Sequence, residues 1–513
     1  MEGATLTRPK PGPTPRERIA ALPWPGIALG LLCLAVLFLF FAYPTYPNYD
    51  SYYSLIWGRE LLHGDALSFD VYRAPTEHPL AVFFGAALSV LGRGADRVLV
   101  FCSMASFVVL AAGMYRLGRL CFTPLVGFLA AAFLISRFDF AFLAIRGYID
   151  VSYLAAIVWA AVLEVQKPRR GMSVLVLLTL AGLMRPEAWV LIGLYFLWIA
   201  WPVGWRKRFE YAAVSAIAPV VWVGLDYVVT GKPLFSLQHT SGLAEELGRS
   251  KSITEVPGSM AHFLINLDTL PILLTGVVGL VLAGLMVPRR SVMPLALLGI
   301  GLGTFLLVGG AGLSVIDRYL LVASLMVMIF GAVAIGGWTM VVPGRLRTVW
   351  MIGATAVLIF GAAFAITRIN LNSFSNELNF RAQSHDSLVA VLDGENGRKV
   401  REAMRCGPLS VPNHKLLPDT RWVLDAGADE VLARADPKVD PLLVVGSPLL
   451  RGAALVTTDR ISAIRQSFTT DLDATLNALP PQAQVTPAGR QVPLSPGFER
   501  IVPGRFYGVY ARC

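Results

Sequence analysis

The chain is short of charge. Only 15% of its 513 residues are Asp, Glu, Lys or Arg, against about 25% in a soluble globular chain. Combined with 55% hydrophobic residues and a mean hydropathy of +0.60, this deficit excludes an ordinary soluble protein and indicates a polytopic membrane protein. There is no G-x-x-x-x-G-K-[ST] segment, which excludes a nucleotide-driven pump of the P-loop kind. No His/Cys cluster has metal-ligand spacing, and the acidic residues of the apolar part form no D-x-D. A nucleotide-sugar donor with a metal-bound pyrophosphate is thus poorly supported. The one D-x-D, Asp471-Leu472-Asp473, lies in the polar C-terminal part and reads as a solvated helix start. No period of 20–50 residues recurs, nor does any inverted repeat, which lowers a transporter reading.

Cysteine is scarce, with five residues. Cys33, Cys102 and Cys121 lie in or beside apolar runs and read as packing residues. Cys406 and Cys513 lie in the polar C-terminal part. In an oxidising compartment they can pair, stapling the last strand to its domain; the alternative is two separate thiols.

The net charge is +10. The basic residues fall as short clusters between apolar runs, as in cytoplasmic loops, so nucleic acid is not expected as a partner. Arg8, Lys10, Arg16 and Arg18 sit in a Pro-rich tail, and Ala21–Ala42 is long enough to span uncleaved. Apolar runs occur near residues 22–42, 97–115, 122–141, 150–165, 172–184, 187–203, 211–229, 270–287, 292–312, 319–341 and 348–367. The intervening clusters are Arg116/Arg119, Lys167/Arg169/Arg170, Arg206/Lys207/Arg208, Arg289/Arg290 and Arg345/Arg347.

The positive-inside rule puts all of these clusters, and the N-terminus, on the cytoplasmic side. Pro79–Leu91 is then too short to span and reads as an outer-face or partly inserted helix. Residues 172–203 read as a hairpin turning at Arg185-Pro186-Glu187, because one helix would put two basic clusters on opposite sides. The expectation is about eleven transmembrane helices, with a cytoplasmic tail over 1–21 and a membrane domain over 22–368 that has its first outer loop at 43–96. A small α/β or α+β extracytoplasmic domain follows over 369–513. Leu442-Leu443-Val444-Val445 and Ala454-Leu455-Val456 read as strands, and Asp386–Leu392 as helix.

Charges near the membrane core need a reason. In this topology they collect on the outer face: Asp50, Glu77 and His78, then Arg137, Asp139, Arg146 and Asp150, Arg185 and Glu187, Asp226 and Lys232, and Asp317, Arg318 and Tyr319. A carboxylate can take a proton from an incoming hydroxyl. Arginine holds a phosphate through bidentate hydrogen bonds and stabilises charge on a leaving phosphate. Tyr53, its neighbouring tyrosines and Trp57 offer faces to a sugar ring.

Each item has a plainer reading. Asp50 could cap a helix; Tyr46, Tyr49, Tyr52 and Tyr53 could form an interfacial aromatic belt; His78 could be a turn residue. Arg185–Glu187 and Asp317–Arg318 could be structural pairs, and Arg137 and Asp139 could neutralise each other. Their shared face is the evidence for chemistry on a lipid-linked substrate.

The motifs resemble the GT-C class of integral membrane glycosyltransferases, which includes protein O-mannosyltransferases, aminoarabinose transferases, oligosaccharyltransferase catalytic subunits and actinobacterial mannosyl- and arabinosyltransferases. Asn48-Tyr49-Asp50-Ser51-Tyr52-Tyr53 is similar to the acidic first-loop hallmark, and Glu77-His78-Pro79-Leu80 to a later H-P-L element. Ile145-Arg146-Gly147-Tyr148-Ile149-Asp150 sits where the class carries a second acidic motif, and Asp317-Arg318-Tyr319-Leu320-Leu321 resembles its R-Y-L-L element. The resemblance covers about residues 22–330.

It implies transfer of a sugar from a polyprenyl-phosphate donor to an acceptor hydroxyl on a glycan, lipid or protein. Asp50 would be the catalytic base, with Arg318, Arg185 and Tyr319 on the donor phosphate. Glu77, His78, Asp150, Arg146, Glu187, Tyr53 and Trp57 would shape the sugar and acceptor sites. Ser51 stands where many members have Glu, so no metal is required on this reading, although a divalent ion stays open. The expected setting is the outer face of a bacterial plasma membrane, in cell-envelope glycan synthesis, with inversion at the sugar. The competing readings are a flippase for a lipid-linked sugar and a structural or binding module for envelope assembly.

Overall fold

A computed structural model describes residues 23–43, 45–368, 371–440, 446–457, 494 and 496–513. The basic tail, Leu442–Val445 and Asp471–Asp473 lie outside the described residues. Every apolar run forms a helix. We number them α1 (Trp24–Ala42), α4 (Ala95–Cys121), α5 (Pro124–Ser136), α6 (Phe138–Ile145), α7 (Ile149–Gln166), α8 (Met172–Met184), α9 (Ala188–Ala200), α10 (Trp205–Thr230), α12 (Val256–Met286), α13 (Pro288–Gly310), α14 (Leu321–Gly336) and α15 (Arg345–Arg368). Between them lie α2 (Tyr49–His63) and α3 (Pro79–Ser89) in the first loop, and α11 (Phe235–Glu246) before α12.

Eight of the described helices are long and apolar enough to cross a membrane. The pair α5–α6, bent by 65°, makes a ninth if it counts as one span. The two arms of the expected hairpin, α8 and α9, are 13 residues each. At about 1.5 Å per residue each reaches roughly 20 Å, less than a hydrocarbon core of about 30 Å. The expected eleven full spans are therefore not all present by length. The turn itself does form at Arg185–Glu187, and Trp189 Nε1 donates to Gly182 O across it at 3.1 Å.

α14 is the axis of the bundle, and every one of its residues is buried. It packs against α12 through glycine: a Cβ on Gly279 would meet Phe330 O at 1.7 Å, so the backbones touch. Traced end to end, the basic clusters all fall at one end of the bundle. Asp50, Asp150, the Arg185 turn and Arg318 fall at the other. Near the basic end, buried Glu164 accepts hydrogen bonds from Arg169 N (2.7 Å), Tyr195 Oη (2.8 Å) and Trp198 Nε1 (3.0 Å), which tie α7 to α9.

The C-terminal part begins with α16 (Leu371–Leu392), α17 (Gly394–Ala403) and α18 (Leu417–Leu424). Its sheet comprises β1 (Leu409–Val411), β2 (Val431–Ala433), β3 (Gly452–Thr457), β4 (Glu499–Val502) and β5 (Tyr507–Arg512), in the order β2-β1-β3-β5-β4. β1 runs parallel to β2 and β3, while β5 is antiparallel to β3 and β4. Ala454–Val456 lies in β3, in register with Val509 at Leu455. Cys406 and Cys513 form a disulfide with Cα atoms 5.4 Å apart, joining the start of β1 to the end of β5.

Candidate active site

α2 starts where the chain needs it to. Asn48 is its N-cap: the side-chain oxygen accepts from Asp50 N at 2.7 Å and Ser51 N at 3.3 Å. Asp50 is therefore not the cap. It lies in the first turn, where a carboxylate is favoured by the helix dipole. The same turn is clamped to the loop before α7. Asn48 N donates to Arg146 O at 2.8 Å, and Ser51 Oγ donates to Gly147 O at 2.7 Å. This brings Asp50 alongside Asp150, which begins α7.

Arg318 joins the two carboxylates. Its Nη1 lies 3.1 Å from Asp50 Oδ2 and 3.4 Å from Asp150 Oδ2. It is carried on a 3₁₀ turn, Asp317–Leu320, that leads directly into α14. Asp150 also accepts from Arg185, and Arg185 grips Glu187 with Nη2 at 2.9 Å and Nε at 3.3 Å. The guanidinium of Arg185 stacks over Tyr319 with its carbon 5.1 Å from the ring centre, and that of Arg318 lies 5.4 Å from the Tyr148 ring. Arg185 is thus fully engaged as a brace for Asp150 and Glu187, which leaves Arg318 as the more available cation. The side chains of Asp50 and Arg318 keep 24% and 29% of their surface exposed, whereas Asp150 keeps none. A cleft beside them is lined by Tyr153, Arg185, Glu187, Arg318 and Tyr319 at its polar end. Leu191, Ile300, Gly301, Thr304 and Val322 line its largely apolar wall.

His78 caps the start of α3 and faces the same charges. Burial, then Arg185, pull its pKa down to about 4, against the opposing pull of Asp50 and Asp150. It is a neutral imidazole at neutral pH, set edge-on to Trp222 at 5.8 Å.

Several expected binding residues do other work. Tyr53 and Trp57 are 0% and 1% exposed and offer no face to a sugar. They pack on each other, and Trp57 packs on Phe69 while its Nε1 donates to Ser68 O at 3.0 Å. Glu77 is buried away from the cleft, in a cluster with Ser236 and Asp226. Ser236 Oγ contacts Glu77, lies 2.6 Å from Asp226 Oδ1, and accepts from Trp222 Nε1 at 2.9 Å. One hydroxyl proton cannot serve both carboxylates, so one acid must be protonated. Burial, then the Asp226 contact, push Glu77 up to about 9, in keeping with a proton held by the pair. Arg146 is buried against Tyr46, its guanidinium 3.9 Å from the ring centre, and donates to Pro47 O at 3.3 Å. Arg137 and Asp139 do pair at 3.0 Å, and Arg137 also holds the Asn266 and Leu267 carbonyls where α12 is broken at Thr269.

Three first-loop tyrosines, Tyr46, Tyr49 and Tyr52, seat the C-terminal domain. Tyr46 stacks on His385 at 4.0 Å, and Tyr52 lies 6.4 Å from Trp422. Tyr49 meets the edge of His414 at 5.8 Å. Below them, buried Arg421 binds Glu60 at 2.6 Å and Ser68 Oγ at 3.1 Å. The sequence does not disclose this contact, nor the influence of Asp50 on Lys415 and Arg249. Their only signal is an unexplained basic residue in each of two segments outside the apolar runs. Among the described residues, no group of three or more His, Cys, Asp and Glu side chains is placed to hold a metal ion.

No protein-family model matches the sequence, and no curated protein sequence does either. Solved structures do match. ArnT from Cupriavidus metallidurans in the apo state superposes with a TM-score of 0.55 at 14% identity, over 96% of this chain and 98% of that one. The same protein bound to undecaprenyl phosphate gives 0.52 at 14% identity, over 94% and 97%. The Archaeoglobus fulgidus oligosaccharyltransferase, tethered to an acceptor peptide containing the NVT sequon, gives 0.50 at 13% identity, over 97% of this chain and 75% of that one. At these identities the likeness is one of fold: the chain has an ArnT-like helical architecture with a small C-terminal sheet domain.

Proposed function

We propose that the protein is a membrane glycosyltransferase that moves a sugar from a polyprenyl-phosphate donor to an acceptor hydroxyl. The observation that carries this reading is the Asp50–Arg318 pair, about a quarter exposed beside a cleft with one apolar wall. In this state Arg318 neutralises Asp50. A donor phosphate bound to Arg318 competes for the guanidinium and releases the carboxylate to act as base. Asp50 then takes the acceptor proton as the hydroxyl attacks the anomeric carbon, and the sugar–phosphate bond breaks. Arg318 stabilises the charge that collects on the departing lipid phosphate. Attack opposite the leaving group inverts the anomeric centre.

Asp150, braced by Arg185, holds Arg318 from behind, and neutral His78 and Tyr319 border the sugar. The cleft's apolar wall suits the first units of the lipid. With the basic clusters on the cytoplasmic side, the site faces outward, where lipid-linked donors serve envelope glycan synthesis. ArnT, whose fold this chain shares, has been solved with undecaprenyl phosphate, which supports a lipid phosphate as the donor group.

The test is incubation of purified protein with a panel of radiolabelled polyprenyl-phosphate sugars and envelope acceptors. Asp50→Asn is expected to lower transfer at least about a hundredfold while leaving the melting temperature unchanged. An active Asp50→Asn protein would overturn the assignment.

A further inference from the structure

Two cations feel the charge of Asp50 and have no ion pair of their own. Arg249 lies on the segment between α11 and α12, and its carbonyl accepts from Val315 N at 2.9 Å, three residues before Arg318. Lys415 comes from the C-terminal domain. Its backbone is fixed by Asn413 Oδ1 at 3.0 Å, and its neighbour His414 packs on Tyr49, the residue before Asp50. Neither side chain has a hydrogen-bond or ion-pair partner among the described residues, whereas Arg73 nearby is paired with Glu246 at 2.7 Å.

The electrostatics agree with this placement. Burial, then Arg249, draw the Lys415 ammonium down to about 8, and Asp50 is the one anion among the main influences on it. Arg249 is likewise lowered, by burial and then by Arg318, against the pull of Asp50. Mutually repelling cations left unpaired at a site's mouth cost free energy unless an anion joins them.

Neither group is among the residues that line the cleft beside Arg318. The cleft that leads from Arg318 is walled by α7, α9, α13 and α14. Lys415 and Arg249 come instead from the C-terminal domain and the loop after α11. Asp50 touches Arg318 at 3.1 Å and also attracts Lys415 and Arg249. A base must touch the acceptor hydroxyl while the donor fills the far side, so the acceptor enters along the Lys415–Arg249 rim.

We infer that the acceptor carries an anionic oxygen group, a carboxylate or a phosphate, close to its reacting hydroxyl, and that Lys415 and Arg249 bind it. This rests on the glycosyltransferase reading above.

The full-length protein in nanodiscs, saturated with undecaprenyl phosphate, tests it by ligand-observed NMR with methyl β-glucuronide, methyl phosphate and neutral methyl β-glucoside. The two anionic probes are expected to bind at least about tenfold more tightly than the neutral one, as charge-assisted contacts imply. The preference is expected to vanish in the Lys415→Met/Arg249→Met protein and to persist in Lys415→Arg. Equal binding of all three probes overturns the inference, as does a preference that survives in the double variant. Loss of anion binding when undecaprenyl phosphate is added overturns it too, since the rim would then serve the donor. If undecaprenyl phosphate itself does not bind, the glycosyltransferase reading fails, while the unloaded protein still decides whether the rim selects anions.

Discussion

Arg318 serves two carboxylates at once, and its replacement separates their roles. Arg318→Met leaves Asp50 and Asp150 facing each other with only Arg185 between them and the cleft. The expected outcome is a fall in transfer of roughly a hundred- to a thousandfold, as for loss of a group that stabilises developing charge. Tighter donor binding in that variant would contradict it. Glu77 makes a prediction about pH. Its folded pKa, about 9, lies far above the ordinary carboxylate value near 4. Between those values the folded protein holds a proton that the unfolded chain has released, so stability falls as pH rises through that window. Glu77→Gln removes the proton difference. Its melting temperature is expected to decline less than that of the parent between pH 6 and 9; parallel curves would show that Glu77 is ionised in the fold. Asp50, Asp150 and Arg318 were legible because charges in an apolar chain demand partners. The roles of Tyr53, Trp57 and Glu77 were not, because burial depends on what folds over a residue, and α11 and the C-terminal domain are distant in sequence.

The first-loop elements are set by contacts of backbone on backbone. α2 crosses α3 where Gly58 meets Gly85, and a Cβ on Gly85 would lie 2.2 Å from Ser54 O. Gly85→Leu is expected to push the helices apart, costing about 1–3 kcal/mol and displacing Asp50 at the other end of α2. Reduced transfer alongside unchanged expression would report that displacement, and full activity would argue against it. Asn48→Ala removes the cap and is expected to cost about 1 kcal/mol. Helix existence was readable from apolar length, and the Arg185 turn from Pro186 and the flanking basic clusters. The shortness of α8 was visible in its apolar run over 172–184, whereas the run over 187–203 is longer than α9, which stops at Ala200.

For the whole molecule, the docking of the C-terminal domain on α2 is the feature that local sequence could not disclose. The buried Arg421–Glu60 bridge crosses 361 positions of chain. Arg421→Met leaves Glu60 buried and unpaired, a loss of about 3–5 kcal/mol, and is expected to expose the domain junction to protease. Unchanged proteolysis would mean that the ring contacts of Tyr46 and Tyr52 suffice. The disulfide spans 107 positions, and its removal by Cys406→Ser with Cys513→Ser is expected to cost about 2–5 kcal/mol in the C-terminal domain, read as lowered melting.

The long reach of the Arg421 bridge also bears on biosynthesis. Asp50 leaves the ribosome hundreds of residues before Arg421 and Lys415. Until those residues are made and moved to the same side of the membrane, the helix bearing Asp50 lacks its roof. The candidate site is therefore incomplete early in insertion and gains its roof only when the C-terminal domain folds onto α2.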